Sequence, residues 1–172
     1  AKPAPAIRWQ QIFTGNILAY FAWQLEITVD DRTALMDDII RTMRISGSGL
    51  RVQGQRLRVI AQNIANANSL PTDPNGKPYR RKTITFRNEF NKALGLDTVK
   101  VHKVRPDMSA FGKRFDPNHP AADADGYVLT PNVNTLIEMT DMREAQRSYE
   151  ANLSVIKSSK RMLNSAIDLL RR

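Results

Sequence analysis

Two runs of apolar residues, each spaced alternately three and four positions apart, constrain this chain most. The first run extends from Met36 to Ala67, and eight of its ten positions are apolar. The second extends from Met139 to Leu170, and again eight of its ten positions are apolar or aromatic. This spacing is typical of the narrow seam of a coiled coil, and a helix that packs on a globular core has a broader apolar face. The chain is therefore expected to form two long helices.

Proline and glycine indicate where the first helix ends and how stable it is. Pro71 and Pro74 are expected to end it, because proline lacks the amide that a helix needs. Three glycines lie inside the run, and each weakens an isolated helix by up to about 1 kcal/mol relative to alanine; they are Gly47, Gly49 and Gly54. The first helix is therefore expected to be only marginally stable unless a partner packs against it.

The second helix is predicted to start just after Pro131. Thr135 followed by Glu138 has the spacing of a capping box, in which each side chain bonds the other's backbone amide. No glycine or proline follows to the end of the chain. We expect a helix of about 35 residues, roughly 50 Å long at the standard rise.

Between the helices the apolar period changes from 3.5 to 2. Residues 83–86 and 99–102 alternate as strands do, and Asn75-Gly76 is a turn signal. Residues 71–131 are interpreted as a small β-rich insertion that depends on the helices, because about sixty residues make only a marginal core.

The fold class expected is therefore α+β, mainly α, with two long terminal helices that form a coiled-coil-like pair around the insertion. The predicted divisions are an N-terminal extension at 1–35, a helix at 36–70, the insertion at 71–131 and a helix at 132–172.

Spacing leaves two arrangements of the seams open. An antiparallel hairpin would bury both seams within one molecule, and spacing alone favours it slightly. The helix length and the small insertion favour the alternative, in which other chains cover the seams. The seam residues expected at subunit interfaces are Leu50, Leu57, Ile60, Ile64, Met139, Met142, Tyr149, Leu153, Ile156, Leu163, Ile167 and Leu170.

Composition excludes several kinds of chemistry. The chain has no cysteine and only two histidines, which excludes disulfides, thiol catalysis and a Cys- or His-rich metal site. The 26 lysines and arginines exceed the 17 aspartates and glutamates, for a net charge of +9 that is spread along the chain. Because few aromatic residues accompany the basic ones, a solubility charge or an anionic neighbour is favoured over nucleic acid.

Neither a membrane span nor a cleaved signal is favoured. The most apolar stretch, residues 12–29, is interrupted by Asn16, Gln24 and Glu26, and a spanning helix needs about eighteen apolar residues. Lys2, Arg8 and the short apolar stretch that follows resemble parts of a secretory signal, but no clean cleavage site comes after them.

Three polar patterns resemble functional sites and have simpler explanations. Residues 123–126 look like part of a calcium loop but lack its further ligands, so a turn held by aspartate side chains is favoured. Asp116 with His119 is interpreted as a contact that fixes a loop and not as an acid–base pair. Asn63 and Asn66 fit a solvated helix face and an amide network between packed helices equally well.

Short motifs in both helices and in the loops between them agree in order and spacing with those of a known family. They include Ser48-Gly49-Leu50, Asn63-Ile64-Ala65-Asn66-Ala67, Asp125-Gly126-Tyr127-Val128, Pro131-Asn132-Val133-Asn134 and Tyr149-Glu150-Ala151-Asn152. The early motifs resemble those shared by bacterial flagellar rod and hook proteins, and the later ones resemble the proximal rod proteins of the basal body. The resemblance covers residues 36–170, and residues 1–35 have no counterpart in it.

The resemblance implies a structural role without enzymatic activity, cofactor, metal or small-molecule ligand. Proteins of this family pass unfolded through the flagellar type III export apparatus without a cleaved signal and polymerise in the periplasm as a helical drive shaft for motility. The implied partners are copies of the chain, other rod proteins and the base of the export apparatus, with no nucleic acid. The signature residues implied are Gly49, Asn63, Asn66, Tyr127, Pro131, Asn132, Asn134, Glu150 and Asn152.

Two other functions remain as alternatives at this point. One is a basic helical protein that binds nucleic acid, which would lose affinity steeply as salt rises. The other is the analogous rod or needle subunit of a type III injectisome, against which residues 116–152 argue because they resemble the flagellar proteins.

Overall fold

The computed structural model describes residues 17–73, 76–92 and 95–171, with side chains described at 34, 36–73, 76–92 and 95–168. The chain divides into two compact units, Ala1–Ile40 and Arg41–Arg172. In the first unit the described residues are helical, and Ile39 is buried. Every contact described below lies within the second unit.

The elements follow the order helix, four strands, helix, which confirms the mainly α architecture. They are α1 (Ile17–Ala65), β1 (Lys82–Asn91), β2 (Leu96–Pro106), β3 (Gly112–Phe115), β4 (Tyr127–Thr130) and α2 (Thr135–Arg171). The strands form two separate antiparallel pairs, β1 with β2 and β3 with β4. The β-rich segment between two long helices therefore has the predicted place in the chain.

Helix α1 differs from its predicted bounds at both ends. It begins at Ile17, upstream of the predicted start at Met36, and it ends at Ala65, before the prolines expected to end it. At its end the Asn66 side-chain amide donates to Gln62 O at 2.8 Å, and Ala67 N donates to Ile64 O at 3.2 Å. These bonds close the last turn of the helix locally, so no proline is needed to stop it.

Helix α2 has 37 residues, close to the predicted length, but its cap is Asn134. The Asn134 Oδ1 atom accepts from Leu136 N at 3.0 Å and from Ile137 N at 3.4 Å. The predicted capping box of Thr135 and Glu138 is therefore wrong by one position. Glu138 is buried and directs its carboxylate toward other elements of the fold.

The β1–β2 hairpin lies beside α1 and depends on it. Its strands pair from Lys82 opposite Pro106 to Asn91 opposite Leu96, with a bulge between Thr85 and Phe86. Most of its side chains are exposed or half-buried, and Thr98 alone among the described residues of the hairpin is buried. Val99 N donates to Ser48 Oγ at 3.3 Å, which joins β2 to α1. The insertion therefore has little core of its own, as predicted.

The β3–β4 pair is closed by a loop held by aspartate, as predicted. Asp123 Oδ1 accepts from Asp125 N at 3.1 Å and from Tyr127 N at 2.8 Å. Gly126 has a φ of 78°, a left-handed conformation that glycine adopts without strain. Within the same loop His119 Nδ1 accepts from Ala121 N at 3.1 Å, a contact that fixes the loop.

The predicted turn at Asn75-Gly76 falls partly outside the described residues. Of the residues on either side of this gap, Gly76 N donates to Asp73 O at 2.9 Å. Among the described residues, neither helix contains a stretch apolar enough to cross a lipid bilayer.

Candidate assembly interface

The two helices contact each other in an antiparallel register that three pairs of positions define. Asn63 is bonded to Glu138, Arg56 lies 3.7 Å from both Asp141 Oδ1 and Glu144 Oε1, and a Cβ on Gly49 would lie 3.0 Å from Asn152 Nδ2. Fourteen positions back along α1, from 63 to 49, are matched by fourteen positions forward along α2, from 138 to 152, and the partners of Arg56 lie between these two pairs. Two seven-residue steps keep a helical position on the same face, so the helices contact each other over about four turns.

The predicted seam of α1 agrees with the burial of its side chains. All ten positions from Met36 to Ala67 are buried or half-buried, and Ile60 is 5% exposed. A second row of α1 is buried as well, and two of its members bond the β1–β2 hairpin; the row is Ser48, Val52, Val59 and Asn63. The part of α1 from 48 to 63 therefore contacts both α2 and the hairpin.

Only part of the seam predicted for α2 is covered within one molecule. In one row Met142, Ile156 and Leu163 are half-buried and Tyr149 is exposed, and in the other row only Leu153 is half-buried. The exposed members of that second row are Met139, Gln146, Lys160 and Ile167. The positions that face inward instead are one residue earlier, and small or polar residues fill most of them; they are Glu138, Ala145, Asn152, Ser159 and Ala166. Small side chains let the helices approach closely, and a search for apolar residues overlooks them.

Because the inner row of α2 is not apolar, α2 leaves large apolar side chains exposed. Val155 and Met162, seven positions apart on one face, are 39% and 51% exposed. Others along the helix are more than a third exposed as well: Leu136, Ile137, Met139, Tyr149 and Ile167. We refer to Val155 and Met162 as the outer stripe. Several large exposed apolar side chains on one helix are typical of a site of protein association.

A buried polar junction joins α1, α2 and the hairpin at one end of the helix pair. The Glu138 side chain is 1% exposed, and its two oxygens accept from Arg81 Nε at 2.6 Å and from Asn63 Nδ2 at 3.0 Å. A buried carboxylate needs a cationic partner and further donors to offset its desolvation, and here it has both. The carboxylate therefore fixes the first strand and the two helices in one arrangement.

Asn63 satisfies every hydrogen-bonding group of its side chain within the junction. Its Oδ1 atom accepts from Tyr79 Oη and Lys82 N, each at 2.9 Å, and its Nδ2 atom donates to Lys82 O at 2.9 Å as well as to Glu138. The amide network is thus correct for Asn63. The Asn66 side chain donates to Gln62 O at an exposed position and reaches no other helix, so it is not part of the amide network.

The electrostatics of the junction hold Arg81 charged. Desolvation lowers the pKa of Arg81, but the hydrogen bond and charge of Glu138, followed by Asp107 and Asp141, outweigh it and leave the pKa raised. Burial, followed by the Glu138 charge, raises the pKa of Tyr79. Hydrogen bonds from Ser109, and then the Arg81 charge, lower the pKa of Asp107.

Asn132 extends the junction to the loop after the hairpin. Its Oδ1 atom accepts from Arg81 N at 2.8 Å, and its Nδ2 atom donates to Asp107 O at 3.1 Å and to Ser109 Oγ at 2.8 Å. Sequence reasoning connected Asn132 with the family but supplied no role for it. In the structure it ties the segment that leads into α2 to the start of β1.

The predicted signature and seam residues differ in how exposed their side chains are in the structure. Asn63, Pro131 and Ile60 are buried, and Tyr127 packs edge-on against Phe115 at 5.3 Å. The half-buried ones are Gly49, Asn66, Asn132, Asn152, Leu50, Leu57, Ile64, Met142, Leu153, Ile156 and Leu163. The exposed ones are Tyr127, Asn134, Glu150, Met139, Tyr149 and Ile167, and the Leu170 side chain lies outside the described residues.

Two glycines of α1 give a matched test of the close helix approach. A Cβ on Gly47 meets nothing within 4 Å, whereas one on Gly49 meets the Asn152 amide. Gly47→Ala is expected to raise the free energy of unfolding by up to about 1 kcal/mol through helix propensity. Gly49→Ala is expected to show no such gain, because Asn152 must shift. Urea denaturation of both variants measures this, and equal gains would contradict the close contact.

Comparisons with known proteins agree with this architecture. Residues 124–169 match the family model described as the C-terminal part of the flagellar basal body rod FlgEFG proteins. Several relatives bear the name flagellar basal-body rod protein FlgC. The protein of Agrobacterium fabrum is 51% identical over 136 residues, which cover 79% of this chain and 98% of the relative.

Two further relatives are less identical to this chain, and the match again covers nearly the whole of each relative. The protein of Salmonella typhimurium is 37% identical over 131 residues, which cover 76% of this chain and 97% of the relative. The protein of Borreliella burgdorferi is 38% identical over 149 residues, with 77% and 97% covered. Identity at this level over nearly the whole length of each relative is more than a shared helical pattern produces, and the chain belongs to the FlgC family of flagellar basal-body rod proteins.

Proposed function

We propose that this protein is a structural, non-enzymatic subunit of the proximal rod of the bacterial flagellar basal body. The observation that carries the proposal is the apolar surface left exposed on α2 in a chain that belongs to a rod family. A subunit of a polymer must present such a surface, because neighbouring subunits bury it on assembly. Burial contributes about 25 cal/mol for each Å² of apolar surface removed from water.

The terminal helices are the proposed polymerisation elements. Within one molecule α1 covers only the inner rows of α2, and both flanks of α2 keep apolar side chains for other subunits. A heterologous contact that does not close on itself generates a helical polymer. The coiled-coil-like part of the proposal is that seam residues such as Leu153, Ile156 and Leu163 complete their packing against helices of neighbouring subunits.

The proposed partners are copies of this chain, other rod proteins and the base of the export apparatus. We place the assembled subunit in the periplasm and propose that it is exported without a cleaved signal. The small core of the β insertion supports export. A chain with so little independent core has a low free energy of unfolding, so it can be unfolded before it passes through the export apparatus.

Genetic complementation tests the proposal. In a motile bacterium that lacks its own FlgC protein, expression of this chain is expected to restore swimming in soft agar. The chain should then be found in purified basal bodies by immunoblotting, with an empty vector as the control. Expression at normal levels without swimming and without the chain in basal bodies would contradict the proposal.

A further inference from the structure

One stretch of the helix pair, away from the polar junction, is rich in positive charge. Residues 41–50 and 154–164 contain five basic residues and no acidic residue. All five are exposed, and none forms an ion pair with a described residue. We call them the basic end: Arg41, Arg44, Lys157, Lys160 and Arg161.

The register of the helices places these charges in the same stretch of the pair. One further step of seven beyond Gly49 and Asn152 brings Thr42 level with Ser159, and Ser159 is buried, whereas Thr42 is exposed. Arg44 is then level with Lys157, and Arg41 with Lys160. Like charges in one stretch repel one another, and an anionic partner lowers the repulsion.

Three of the basic residues also line a shallow open depression on the outer face of α2. Its volume is about 510 Å³, and its lining residues are Ser154, Lys157, Lys160, Arg161 and Asn164. The serine and asparagine add neutral hydrogen-bonding groups beside the three cations. The chemistry of this lining fits carboxylates of a short protein segment.

An exposed segment with the opposite charge, which matches the cations of the basic end, lies elsewhere on the same chain. Residues 116–126 contain three aspartates and no lysine or arginine. In the loop between β3 and β4, Asp123 and Asp125 are exposed, and backbone bonds to Asp123 fix the loop. We call residues 123–125 the acidic turn. The two backbone hydrogen bonds to Asp123 constrain the turn before binding, which lowers the ordering entropy that opposes docking.

From this charge arrangement we infer that the basic end of one copy binds the acidic turn of the next copy. The inference rests on the proposed function and gives the polymer its direction. The two surfaces differ, so the contact is head-to-tail and repeats along a filament instead of closing as a symmetric dimer. Opposite charges set the register of the contact, and the outer stripe supplies the apolar burial.

Disulfide trapping tests the contact directly, because the natural chain contains no cysteine. Purified Lys157→Cys and Asp125→Cys variants are mixed under mild oxidation, and the mixed disulfide is measured by mass spectrometry. Its yield is expected to exceed about tenfold that of a matched control, Lys157→Cys mixed with Lys113→Cys on exposed strand β3. The excess should fall as salt rises from about 50 to 500 mM, since salt screens exposed charges.

A charge exchange gives a second readout. Lys157→Glu with Lys160→Glu should lower self-association in sedimentation, and adding Asp125→Lys to the same chain should restore it. Equal disulfide yields in the test and control mixtures, or no rescue by the exchange, would overturn the inference. These measurements use the purified chain, so they remain informative even where complementation fails. Failure of complementation by the unaltered chain would instead contradict the proposed function.

Discussion

Replacing Glu138 by alanine is expected to lower the free energy of unfolding by about 3–5 kcal/mol, the range for breaking a buried ion pair. The substitution leaves the Arg81 guanidinium and the Asn63 amide without the carboxylate that both of them bond. Domains of this size have a total stability of about 5–15 kcal/mol, so the variant is close to the limit of folding. Urea denaturation followed by circular dichroism measures the loss.

Two further glutamate variants show whether the effect belongs to the junction. Glu138→Gln keeps an oxygen for Arg81 and removes the charge, so its loss is expected to lie between that of alanine and the unaltered chain. Glu150→Ala removes an exposed carboxylate of the same helix and should change stability by no more than about 0.5 kcal/mol. Similar losses in Glu138→Ala and Glu150→Ala would show that the junction does not hold the fold.

Introducing aspartate into the outer stripe is expected to abolish swimming without unfolding the subunit. In the doubly substituted variant, Val155→Asp with Met162→Asp, two charges lie on the surface that neighbouring subunits are proposed to bury, and a buried unpaired charge is costly. Both side chains are exposed in the single molecule, so the midpoint of urea denaturation should change little. Soft-agar swimming and recovery of the variant in basal bodies measure the outcome.

Two matched variants separate assembly from folding. Ser165→Asp adds one negative charge at an exposed polar position of α2 and should leave swimming intact. Ile156→Asp with Leu163→Asp alters half-buried positions, so it should lower both stability and swimming. Normal swimming of the Val155→Asp and Met162→Asp variant would show that the outer stripe is not an assembly surface.

Much of the architecture followed from periodicity, because spacing decides which residues share a helix face. The 3–4 spacing predicted both helices, and the change to alternation predicted the strands that hold Thr83 and Val101. The ends of the helices were predicted less well. Asn134, which caps α2, and Asn66, which closes α1, use side-chain bonds that apolar periodicity does not report.

The inner face of α2 could not be predicted from apolar spacing. Ala145 and Ser159 occupy inner positions because small residues allow close helix approach, whereas Met139 and Ile167 remain outside. The role of Glu138 could not be predicted from local sequence motifs either. Its partner Arg81 is 57 positions away in sequence, and local motifs describe only near neighbours, so its spacing from Thr135 suggested a cap.

The antiparallel pairing of α1 with α2 also determines when the fold can form. Asn63 and Glu138 are separated by 75 positions, so their contact must await synthesis of the whole β-rich segment and the start of α2. Contacts this distant in sequence slow folding, because the entropy of loop closure opposes them before they contribute stability. A chain that is still emerging from the ribosome therefore holds α1 uncovered until the first turns of α2 have been made.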